Sequence, residues 1–91
     1  MTLRDDLIAA KALIDTPEKW TEYYDVHDAI WSVVKAGPDH NARLLRCIDA
    51  LAEFLPPRFK HPGRYGQHRT TTHSDVMALF DRAIEAAERS K

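Results

Sequence analysis

Two groups of side chains in this sequence have types and spacings that bear on chemistry. The first is Arg58, Phe59, Lys60, Arg64, Tyr65 and Arg69, bases interleaved with aromatics. No acid occurs between residues 58 and 74, whereas residues 1–57 hold six bases and ten acids. Bases in such a run can track phosphates, and rings between them can stack on nucleobases. A second reading packs Phe59 and Tyr65 over helices and pairs the bases with acidic faces of the same chain. The second group is Trp20, Tyr23, Tyr24 and Trp31. Trp and Tyr are typical anchors of protein interfaces, because they bring large contact area and a polar tip. So much aromatic surface is hard to bury completely in a small domain. Core packing is the alternative for these rings.

Other constellations carry less. His61, His68 and His73 suggest a metal site, but neither Cys-x-x-Cys nor His-Glu-x-x-His accompanies them. They read as surface histidines, and no metal or other cofactor is expected. A small metal-dependent hydrolase or sensor is the reading they would support. His27, between Trp20 and Trp31, reads as a core or interface histidine. Cys47, at the edge of an apolar helical face, reads as a buried, inert thiol. The acid pairs Asp5 with Asp6, Asp25 with Asp28 and Glu85 with Glu88 are assigned to solvent faces. Asp39–Arg43 and Glu85–Arg89 have the spacing of helical ion pairs. There is no Gly-rich phosphate loop, dinucleotide fingerprint or serine elbow. An enzyme is not expected.

The elements that must position these groups are helices. Leu3, Leu7, Ala10 and Ile14 define a first helix over 3–14, widened by Ile8, with Thr2 and Asp5 arranged as a capping box. Thr16-Pro17 starts a second helix, taken as one long or kinked helix over 17–36. Gly37-Pro38 stops it, with Gly37 assigned the left-handed position. Asp39 or Asn41 opens a third helix over 40–54, with Leu44, Leu45, Ile48, Leu51, Ala52 and Leu55 on its apolar face. Pro56-Pro57 ends that helix. Thr72 and Asp75 start a fourth helix over 73–89, carrying Val76, Phe80, Ala83 and Ala87. Between the last two lies a long irregular basic loop, 56–71. Loops of that length in small domains are often functional. The expected fold is all-α, a single four-helix domain.

At 91 residues, one domain is the expectation. A 44% hydrophobic content is too apolar for a disordered tail. The formal net charge of -1 does not by itself point to nucleic acid. One cysteine excludes an internal disulfide framework. No apolar run approaches the ~20 residues of a membrane span, and acids stand where a signal peptide needs bases. A cytoplasmic setting is the default expectation.

Two stretches resemble a family of small proteins of unknown function from actinobacteria and their phages. They are Leu3-Arg4-Asp5-Asp6-Leu7 through Ile14 with Thr16-Pro17-Glu18-Lys19-Trp20, and Arg69-Thr70-Thr71 through Val76-Met77-Ala78-Leu79-Phe80-Asp81-Arg82-Ala83-Ile84. Family members carry a Gly-rich stretch and a Cys-Ala-Leu-Gly-Ala-Leu helix after the Trp. Tyr23 to Val34 replaces both here. The resemblance implies no activity, and it implies a bacterial or phage-infected cell. The expected function is a non-enzymatic protein-binding module, a phage-encoded modulator of a host protein. Its contact residues would be Trp20, Tyr23, Tyr24, Trp31, Arg58, Phe59, Lys60, Arg64, Tyr65 and Arg69. The alternatives are nucleic-acid binding through 58–69 and a structural homodimer.

Overall fold

Amphipathic periodicity decides most of the architecture. The computed structural model describes residues 2–22, 26–57, 59, 61, 65 and 71–89. Among them the regular elements are five helices, in the order α1 (Leu3–Leu13), α2 (Pro17–Glu22), α3 (Val26–Val34), α4 (His40–Ala52) and α5 (His73–Arg89). Among the described residues none is in a strand, and no helix is long and apolar enough to cross a membrane.

Local chemistry sets the helix starts. Thr2 Oγ1 accepts from the Asp5 backbone N–H at 3.2 Å, and Asp5 Oδ2 accepts from the Thr2 N–H at 3.3 Å. This reciprocal box satisfies two donors that an uncapped helix leaves open. Thr72 and Asp75 repeat it ahead of α5, at 3.1 and 3.0 Å. Thr16 Oγ1 caps α2 through the Lys19 N–H.

Where one long or kinked helix was expected over 17–36, the described residues form two. α2 and α3 are separate helices, and residues 23–25 between them lie outside the described residues. Tyr and Val lose side-chain freedom in a helix, so propensity around Tyr23–Val26 is weak and packing decides. α3 packs against α1 and α4, burying Val26, Ala29, Ile30 and Val34. α2 instead lays Trp20 against the edge of the core. Of the loop 56–71, only Pro56, Pro57, Phe59, His61, Tyr65 and Thr71 are described.

α1 lies at the centre and packs on α3, α4 and α5. Arg4 pairs with Glu88 and Lys11 with Asp81. Advancing seven residues along α1 moves seven back along α5, so these two helices run antiparallel. The core joins Leu7, Ala10 and Ile14 to Ile30, Val34, Cys47, Leu51, Val76 and Phe80. Each large apolar side chain fully buried there contributes about 1.5–3 kcal/mol.

Two expected core positions and one expected solvent position are corrected. Ile8 and Leu45 are 40% and 59% exposed, so the α1 and α4 stripes are narrower than the sequence pattern. Asp6, assigned to solvent, is buried. It sits three residues after Leu3 and four before Ala10, within the core-facing stripe.

Candidate protein-binding surface

The turn between α3 and α4 organises the surface that carries Trp31. Gly37 N–H donates to the Val34 carbonyl at 3.0 Å and closes α3. Gly37 is not left-handed, contrary to the expectation. The positive φ, 55°, belongs to Asp39, which starts α4 without a side-chain cap bond. A Cβ at Gly37 would overlap Nη1 of Arg43. Glycine is needed here for that close approach, not for its backbone angle.

Arg43 reaches into the interior rather than along its own helix. Its Nη2 and Nε donate to Asp6 Oδ1 and Oδ2 at 2.7 and 3.1 Å. The two side chains are only 10% and 3% exposed. This fork-to-carboxylate geometry is the strong form of an ion pair. It holds the guanidinium above its ordinary pKa, chiefly through the hydrogen bond to Asp6. The pair therefore ties the start of α4 to α1 and fixes the α3–α4 turn beside it. Glu85–Arg89 pairs along α5 as expected.

Cys47 follows Arg43 by one turn and is fully buried. Desolvation, reinforced by the charge of Asp6, pushes its thiol from 9.0 up to about 12. A buried thiol held in its protonated form is a poor nucleophile, and its burial agrees with its place in the sequence. Well below pH 9 it is protonated in both folded and unfolded chains and has no effect on the pH slope. Between 9 and 12 only the unfolded chain loses the proton, so stability falls as pH rises. The expected loss is up to about 1.4 kcal/mol per pH unit. Urea unfolding at stepped alkaline pH should show that slope, reduced in Cys47→Ala.

With the turn held, α3 presents His27 and Trp31 one turn apart. The Trp31 ring meets His40 edge-on, with centroids 5.5 Å apart. His27 faces His61 at 6.2 Å. These contacts form a strip, His61–His27–Trp31–His40, that joins the 56–71 segment to α3 and the first residue of α4. Phe59 and Tyr65 sit edge to face at 5.2 Å, and Tyr65 packs against the core. His73 is elsewhere: its Nε2 lies 2.7 Å from the Ile14 carbonyl and joins α5 to the end of α1. Among the described residues no three His, Cys, Asp or Glu side chains are grouped to hold a metal ion.

The expected contact residues therefore separate. Trp31 is at the surface, 37% exposed. Trp20 and Tyr65 are half-buried against the core. Phe59 is half-buried against Tyr65. Tyr23, Tyr24, Arg58, Lys60, Arg64, Arg69 and His68 lie outside the described residues. Sequence reasoning missed His40 as the neighbour of Trp31. It also missed the Asp6–Arg43 pair, although both charges occupy apolar stripes, a readable signal of burial with a partner.

The chain matches, over residues 1–86, a family described as a family of unknown function (DUF6197), and it belongs to that family. The match runs through residues 23–34, where the chain departs from the pattern quoted above. No curated protein and no solved structure matches it.

Proposed function

Proceeding from membership of a family with no assigned activity, we propose that this chain is a non-enzymatic protein-binding module. Its contact surface is the outer face of α3, centred on Trp31 and flanked by His40, His27 and His61. The observation that supports this reading is the surface placement of Trp31, with its ring already set against His40. A Trp oriented before contact loses little rotamer freedom on binding, which is what a preorganised anchor requires. The imidazoles beside it supply a polar rim. Phe59 and Tyr65 are engaged with each other and, for Tyr65, with the core. That arrangement favours protein over nucleic acid, because stacking needs open ring faces. The setting implied by the sequence resemblance makes the partner a bacterial host protein met in the cytoplasm, and the chain its modulator.

The test is affinity purification from the native or infected host, at low and moderate salt and with nuclease treatment. Wild type should retain the same protein under all three conditions. Trp31→Ala, shown by circular dichroism to fold, should retain at least ~10-fold less of it. Equal retention by Trp31→Ala overturns the surface assignment. Recovery of nucleic acid alone, lost at moderate salt, overturns the protein-binding reading.

A further inference from the structure

A different face, on α4, has the pattern of a contact between two copies of this chain. Ala42, Leu45, Arg46, Asp49 and Glu53 are all exposed and recur at three- and four-residue steps, forming one strip. Leu45 is 59% exposed, the most open large apolar side chain among the described residues. Beside it, Arg46, Asp49 and Glu53 wall a groove of about 440 Å³. Its floor is short-chained, with Ala50 from α4 and Ala83, Ala86 and Ala87 from α5. A protruding leucine and a hollow thus adjoin on one helix. Among the described residues no ion pair engages Arg46 or Asp49.

We propose that this strip is an isologous dimer interface, with α4 of a second copy packed antiparallel on α4. A two-fold contact requires a patch complementary to itself. A strip of one charge sign would repel its copy, whereas this one carries a base and an acid three residues apart. In the antiparallel arrangement the axis passes between positions 46 and 49. Arg46 of each copy then stands level with Asp49 of the other, and the contact forms twice. Glu53 falls level with Ala42, so no like charges meet there. A parallel arrangement sets Arg46 against Arg46 and is disfavoured. Leu45 of each copy is removed from water between the two helices. This contact is separate from the Trp31 strip, so each stands or fails alone.

The test is light scattering after size exclusion, from micromolar to submillimolar chain, with circular dichroism as the fold check. Wild type should move with concentration from the 10.4 kDa chain mass toward twice that value. Leu45→Glu should remain monomeric. Arg46→Asp sets acid against acid and Asp49→Arg sets base against base, each twice per dimer. Each variant alone should therefore dissociate at least ~10-fold more readily. Mixing the two should restore a heterodimer, because every facing pair is then opposite in sign. A wild type that is monomeric throughout overturns the proposal and leaves this face to a different protein. Single variants that dimerise like wild type, or a mixture that stays monomeric, overturn the antiparallel pairing.

Discussion

Replacing Asp6 by alanine is expected to lower the thermal midpoint by ~15 °C. The carboxylate accepts two hydrogen bonds from Arg43 in a site almost closed to solvent. Its removal leaves a guanidinium walled in by the α3–α4 turn, where even a Cβ at Gly37 would collide with it. Removing one member of a buried pair is costly mainly because the other is left uncompensated. The double variant Asp6→Leu/Arg43→Met separates that effect from the worth of the pair itself. Apolar residues of similar volume need no counter-charge, so the double variant should melt near wild type or above it. Thermal unfolding followed by circular dichroism checks both. A midpoint within a few degrees of wild type for Asp6→Ala would show that this pair does not hold α4 to α1.

Phe80→Ala is expected to cost about 3–5 kcal/mol. Phe80 is fully buried within the cluster formed by α1, α3, α4 and α5. Truncation removes the transfer free energy of the ring and leaves a cavity that rigid neighbours only partly refill. A 91-residue domain has a total stability on the order of 5–14 kcal/mol. Urea denaturation should therefore show a much lower midpoint, or a chain largely unfolded without denaturant. An unchanged midpoint would contradict the placement of Phe80. Leu45→Ala on the surface provides the contrast, with a change within ~0.5 kcal/mol for the monomer.

Much of this architecture was legible in the residues. Helices at both ends follow from periodicity, and their starts follow from the Thr2/Asp5 and Thr72/Asp75 boxes, which need only neighbours three residues apart. Burial of Cys47 was legible for the same reason, as its spacing from Leu44 and Leu51 places it by the apolar stripe. Caps and stripes are local, so the sequence determines them before any helix meets another. The bounds of α2 and α3 were less legible, because helix propensity around Tyr23–Val26 is weak and α3 is held by its contacts with α1 and α4. Asp6 and Arg43 lie 37 positions apart, and although each occupies an apolar stripe, neither position identifies its partner. Only the packing of α1 on α4 shows that they bury one another. The same holds for the surface: Trp31 is a core ring or an anchor by sequence alone. The tertiary structure decided only its placement at the surface, because α1 and α4 cover the opposite side of α3 and leave Trp31 to meet His40 at the solvent boundary.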